Sequence, residues 1–128
     1  MTKETIHAAD YRSVRPSFRA GVVNAWNAHN IDRVLAHYAD DCEFRSPLII
    51  NIANEPSGRL TGKLAIRAYW AAALQKLPDL RFELLDVLTG ADCLTLHYRG
   101  HRGPVAETFF FNGSGKVIRA AACYSVGL

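Results

Sequence analysis

Glu107 stands in the stretch Val105-Ala106-Glu107-Thr108-Phe109-Phe110-Phe111, a carboxylate whose alternate neighbours are apolar. A carboxyl in apolar surroundings resists ionisation, so its pKa rises. Near neutrality it can then serve as an acid, a base or a neutral hydrogen-bond donor. A structural network, with a tyrosine, histidine or arginine satisfying the glutamate, accounts for the same residue. Tyr69, Tyr98 and Tyr124 can supply hydroxyls to the same space, although any buried tyrosine needs a partner for its hydroxyl. Trp26 and Trp70 read as core or pocket wall.

The other polar candidates have plainer readings. His29 and His37 fall on helical segments as exposed or capping groups. Asp40-Asp41 is expected at a helix-to-strand junction, where paired acids form turns. Arg99, His101 and Arg102 cluster at a hairpin and read as a solvated turn. Cys42, Cys93 and Cys123 sit in apolar stretches without metal-ligand spacing, as small hydrophobes. No glycine-rich phosphate loop and no nucleophile elbow occurs, so no metal and no cofactor is expected.

Composition sets the scale for these residues. The chain has 128 residues, 49% hydrophobic and 21% charged, with a formal net charge of +3. A chain of this size buries roughly two-thirds of its unfolded surface, enough for one core without staples. Disorder, collagen-like repeats and a disulfide scaffold are excluded. Nucleic acid is not expected as a partner, because no basic stripe interleaves with aromatics. No apolar run is long enough for a membrane span, and Lys3, Glu4, His7, Asp10 and Arg12 argue against a signal peptide. The expectation is a reduced, cytoplasmic protein with a polar tail over residues 1–12 and a single domain over 13–128.

Hydrophobic spacing supplies the elements. Val14, Phe18, Val22 or Val23, and Trp26 recur at helical intervals, with Pro16 in the first turn. Asn30 caps a second helix whose buried side is Ile31, Val34, Leu35 and Tyr38. Residues 42–46 alternate as a strand up to Pro47. Residues 48–60 read as a short strand or flap followed by a loop. Thr61-Gly62 opens a third helix carrying Ile66, Tyr69, Trp70, Ala73, Leu74 and Leu77, and Pro78 stops it. The period then becomes two: Leu80, Phe82 and Leu84, next Leu94, Leu96 and Tyr98, then Val105 to Phe111, and last Val117 to Tyr124. Helices followed by a four-strand meander make an α+β domain with a curved antiparallel sheet over helices.

Strand parity divides the residues between faces. A two-residue turn at Gly113-Ser114 puts Glu107, Phe109 and Phe111 on one face with Ile118, Ala120, Ala122 and Tyr124. The two alanines leave space beside the carboxylate. Ala106, Thr108, Phe110, Val117, Arg119, Ala121 and Cys123 share the other face, half-apolar in character. A partner subunit is expected there, making a homodimer through the outer sheet face.

At this point the chain resembles a known group. Trp26 with Asn30-Ile31-Asp32, the run Tyr38-Ala39-Asp40-Asp41-Cys42-Glu43-Phe44-Arg45-Ser46-Pro47, Gly58 and Gly62-Lys63 with Ile66-Arg67, and the meander resemble the NTF2-like superfamily, SnoaL-like branch. The resemblance covers residues 13–125. It implies a cone, a curved sheet around three helices enclosing a pocket, and dimerisation through the outer sheet face. Ketosteroid isomerases of this fold place a catalytic aspartate where Ser46 stands and an oxyanion tyrosine near Val22. Their protonated strand aspartate matches Glu107. One of three is retained, which argues against that reaction. The aspartate–arginine–aspartate set of the epoxide hydrolases is not met, Asp86 being the remaining inward acid by parity. The cyclase histidine has its strand at His97 but the wrong parity, and His101 lies in a turn.

The combined reading is a small apolar or aromatic organic ligand in a pocket walled by Trp26, Phe44, Ser46, Tyr69, Tyr98, Phe109, Ala120 and Tyr124. As an enzyme, the protein would perform cofactor-free isomerase, cyclase or hydratase chemistry with Glu107 transferring the proton. The alternative is a non-catalytic ligand-binding or interaction module.

Overall fold

Pro16 opens helix α1 (Pro16–Asn27), and Phe18, Val22, Ala25 and Trp26 form its buried stripe. The computed structural model describes residues 16–127; the predicted tail over residues 1–12, with Ser13 and Val14, lies outside the described residues. Asn30 caps α2 (Ile31–Leu35) as expected, its side chain accepting from the Arg33 N–H at 3.1 Å.

Tyr38 departs from expectation: it opens strand β1 (Tyr38–Arg45) instead of extending α2. The Val117 N–H donates to the His37 carbonyl at 2.8 Å, and Tyr38 pairs with Val117. Strand pairing therefore captures the chain directly after the helix. Asp40 and Asp41 lie inside β1, not at a turn. The register shifts between Tyr38 and Glu43, which lets both acids face water.

The stretch after Pro47 is also corrected. It forms a short helix, α3 (Pro47–Ile52), and then strand β2 (Arg59–Thr61). Ser46 Oγ accepts the Leu48 N–H at 3.2 Å, Pro47 fills the first turn, and Ile49 is fully buried. An apolar triplet read as extended becomes helical because a cap and a proline precede it. Helix α4 (Lys63–Lys76) buries Ile66, Tyr69 and Trp70.

The meander follows as β3 (Glu83–Gly90), β4 (Cys93–Gly100), β5 (Gly103–Phe111) and β6 (Val117–Tyr124). The strand order is β2-β1-β6-β5-β4-β3. The α+β class with a curved sheet stands, with four helices and six strands among the described residues. The sheet is not purely antiparallel, because β1 and β6 run parallel. At the β3 edge a shift between Leu84 and Asp86 breaks the expected alternation, leaving Leu84, Leu85 and Leu88 exposed.

Parity holds along most of the last hairpin, where Glu107 faces Ala122 and Phe109 faces Ala120. The turn is longer than two residues. Asn112 accepts from the N–H groups of Ser114 and Lys116, which closes a wider loop. The register then shifts and Phe111 pairs with Val117. Val117 is consequently fully buried on the inner face, while Ile118 is half-buried, reversing their predicted sides. The inner face packs Leu94, Leu96, Tyr98, Phe109 and Phe111 under the helices. Cys93, Thr95, His97, Ala106, Thr108 and Phe110 are half-buried on the other face, with the Thr95 and Thr108 hydroxyls 2.8 Å apart. Cys123 is exposed there rather than packed as a hydrophobe. No helix among the described residues is long and apolar enough to cross a membrane.

One side chain ties the helical layer to the start of the meander. Asn27 Nδ2 donates to the Phe82 carbonyl at 3.0 Å, and Asn27 Oδ1 accepts the Phe82 N–H at 2.7 Å. The amide imitates a strand neighbour where β3 has none. Asn27→Ala should cost about 2 kcal/mol in urea unfolding, since two backbone groups lose their partners. Equal stability of Asn27→Ala and the parent would refute the clamp.

Candidate functional site

Glu107 projects from the inner face of β5 between Leu96 of β4 and Ala122 of β6. It is 6% exposed. Tyr98, two residues along β4 from Leu96, donates its hydroxyl to Glu107 Oε1 at 2.9 Å. Burial pushes the Glu107 carboxyl up from 4.5 to about 7, against the opposing pull of the Tyr98 hydrogen bond. Desolvation and then the nearby Glu107 charge raise Tyr98 well above the ordinary phenol value.

Tyr38 belongs to the same surroundings. Its hydroxyl is buried and finds no hydrogen-bond partner among the described residues. Desolvation holds its pKa well above the usual value, and the Glu107 charge adds to this. Sequence reasoning placed Tyr38 on a helix and so missed it. The available signal was the even-numbered series with Cys42, Phe44 and Ser46, all buried on β1 and the residue after it.

A second polar knot lies beside the first. Ser46 Oγ is 3.3 Å from the Tyr124 hydroxyl and also accepts the Leu48 N–H. Ser46 also lowers the Tyr69 pKa, against the larger effect of burial, so the Tyr69 hydroxyl lies close to the same knot. Burial raises Tyr69 and Tyr124, and the Glu107 charge pushes each further the same way. Four tyrosine hydroxyls, those of Tyr38, Tyr69, Tyr98 and Tyr124, thus lie within electrostatic reach of one carboxyl.

Aromatic rings surround these groups. Phe44 packs on Trp70 at 5.5 Å and on Tyr69 at 6.1 Å, and Tyr38 meets Trp70 edge-on at 5.5 Å. Trp26 contacts Trp70 and Phe82, while Phe82 lies 4.4 Å from Tyr98. Phe109 turns the other way, onto Phe18 at 5.0 Å. Trp26, Phe44, Ser46, Tyr69, Tyr98, Phe109 and Ala120 are all buried, and Tyr124 is half-buried.

The remaining candidates are not brought together. Asp86 is exposed and accepts its neighbour's Val87 N–H at 2.8 Å, so it is no inward acid. His97 pairs with Ala106 without any shift between β4 and β5 and stays on the outer face; His101 is exposed. His29 is exposed, and His37 is half-buried against Phe18 rather than solvated. Val22 is a buried core residue. Among the described residues no group of three or more His, Cys, Asp or Glu is placed to hold a metal ion.

Residues 20–126 match the SnoaL-like domain. The chain belongs to the SnoaL-like family. A SnoaL-like protein of unknown function from Burkholderia thailandensis is 46% identical over 85% of this chain and 92% of its own, with a TM-score of 0.81. A proposed hydroxylase from Streptomyces galilaeus shares the fold at 17% identity and TM-score 0.69, covering 88% of this chain and 90% of its own. A proposed polyketide cyclase from Sinorhizobium meliloti does so at 17% and 0.66, covering 84% and 94%. These last two likenesses concern the SnoaL-like fold alone.

The raised Glu107 pKa ties stability to pH. The folded protein holds the proton up to about pH 7, whereas the unfolded chain releases it near 4.5. Stability contributed by the neutral carboxyl is full below pH 4.5 and is lost as pH rises toward and through 7, by about 3 kcal/mol. Glu107→Gln should flatten this loss and be the more stable protein at pH 8. An unchanged slope between pH 5 and 8 in urea unfolding would contradict the burial argument.

Proposed function

We propose that the protein binds a small apolar or aromatic organic molecule on the inner side of the sheet and acts on it by acid–base chemistry of its own side chains. The reaction class is isomerase, cyclase or hydratase, and Glu107 carries the proton. The observation behind this reading is the buried Glu107 carboxyl, poised to titrate near 7 with a single hydrogen bond from Tyr98. A group that titrates near the working pH serves equally as acceptor and donor. The Tyr38 hydroxyl, without a partner among the described residues, supplies a donor for a ligand oxygen, and Ser46, Tyr69 and Tyr124 orient the rest. Trp26, Phe44, Phe109 and Ala120 form the apolar wall.

A binding module without chemistry is the second reading. The Tyr98 hydrogen bond to Glu107 favours it, since a carboxyl satisfied by a tyrosine accounts for the burial without chemistry. We place a second copy of the chain on the outer sheet face, where the Thr95–Thr108 hydroxyl pair and the half-buried Ala106 and Phe110 offer small, uncharged contacts. Free cysteines fit a reducing cytoplasm.

Deuterium uptake next to the carbonyl of aromatic ketones, followed in D₂O, tests the chemistry. The parent should catalyse uptake with a pH break near 7, and Glu107→Gln should lose about 10²- to 10⁴-fold. Binding of the ketones without uptake selects the binding module, and no binding at all overturns both. Thr108→Arg should convert a dimer to a monomer in light scattering; a monomeric parent removes the second copy.

A further inference from the structure

An open concavity of about 460 Å³ adjoins the first site where β1 gives way to α3, and Ser46 and Ala122 line both. Arg45, Arg59, Pro47, Ile50, Ala121 and Cys123 are among its lining residues. Register explains its charge. Arg59 of β2 stands directly opposite Arg45 of β1, and Arg45 stands beside Ala121 of β6. Like charges opposite each other on neighbouring strands repel, and the small alanine leaves the space next to them open.

Nearby carboxylates only partly offset these cations. Glu43 Oε1 accepts from Arg45 Nε at 3.3 Å, but Glu43 also stands opposite a third arginine, Arg119, on β6. Glu55 feels the Arg59 charge, yet its Oε2 already accepts the N–H and O–H of Ser57. The Arg119 guanidinium stacks over the Phe110 ring at 4.6 Å, which leaves Arg45 and Arg59 as the cations of the concavity. Pro47, Ile50 and Ala121 give the same concavity an apolar side, and Ile50 is 44% exposed within it. Gly58 keeps the floor low: a Cβ there would meet the Ser46 carbonyl at 3.3 Å, and its φ of +70° disfavours side chains.

We propose that this concavity is a second binding site, for a small organic acid whose carboxylate lies between Arg45 and Arg59 and whose apolar body rests on Pro47, Ile50 and Ala121. Guanidinium groups match carboxylate geometry in paired hydrogen bonds, and the volume suits a small ligand. The acid has no reason to prefer the inner site, where burial already disfavours the charge of Glu107.

Cys123, an exposed free thiol on the rim, provides the readout; because it pairs with Ala106 on the face proposed for a second copy, every protein compared carries Thr108→Arg. Alkylation of Cys123 by anionic iodoacetate is compared with that by neutral iodoacetamide, with peptide mapping to separate it from Cys42 and Cys93. Both reagents need the thiolate, so their rate ratio reports the local field. The ratio should fall about fivefold in Arg45→Gln/Arg59→Gln, whose exposed positions leave the fold intact by circular dichroism. Benzoate should protect Cys123 while benzyl alcohol does not, and Glu107→Gln should keep that protection. An unchanged ratio, equal protection by the alcohol, loss of protection in Glu107→Gln, or an unreactive Cys123 in the native protein would each overturn the proposal.

Discussion

The parallel pairing of β1 with β6 is the constraint on which the rest of this structure hangs. It joins the helical half of the chain to the meander, setting Phe44 beside Ala120 and Arg45 beside Ala121. The inner residues of β1 thereby reach the side of the sheet that carries Glu107, and the outer ones reach the rim lined by Cys123. Without this contact Tyr38 would sit at the end of a helix and Ser46 would have no Tyr124 to meet. A parallel pair needs a long crossover, and here the crossover is most of the protein.

Burying Glu107 works against stability, and the surroundings limit that penalty without abolishing it. Tyr98 gives one hydrogen bond, and protonation below pH 7 removes the charge, leaving the smaller cost of a buried neutral carboxyl. Tyr38 adds a second cost where its buried hydroxyl finds no partner among the described residues. Two such features side by side, in a shell of rings from Trp26, Phe44, Trp70 and Phe82, concentrate unfavourable terms in one place. Local costs of this kind gather where a protein meets a ligand.

Much of this arrangement was legible in the residues. Alternation along β4 and β5 put Tyr98 and Glu107 on the inner face, and parity carried Ala120 and Ala122 to the same side. Asn30 announced its helix start by chemistry that acts within one turn. What escaped were features decided at a distance. Tyr38 and the two aspartates were taken by pairing with β6, Leu48 to Ile50 by the Ser46 cap, and Val117 by a shift at the end of a wider loop. The arginine row in the concavity was invisible because β2 is three residues long and has no period of its own.

The same β1–β6 contact bears on how the chain acquires its shape. Neighbouring strands of the meander are joined by short turns, so β3 to β6 can assemble with little loss of chain entropy, whereas β1 must find β6 across nearly the whole intervening sequence. Closing that long loop is the slow, entropically dear event. Tyr98 and Glu107 sit on neighbouring strands joined by a short turn, whereas Tyr38, Phe44 and Ser46 reach them only through the long-range β1–β6 pairing, so the inner site is complete only when that long loop is closed.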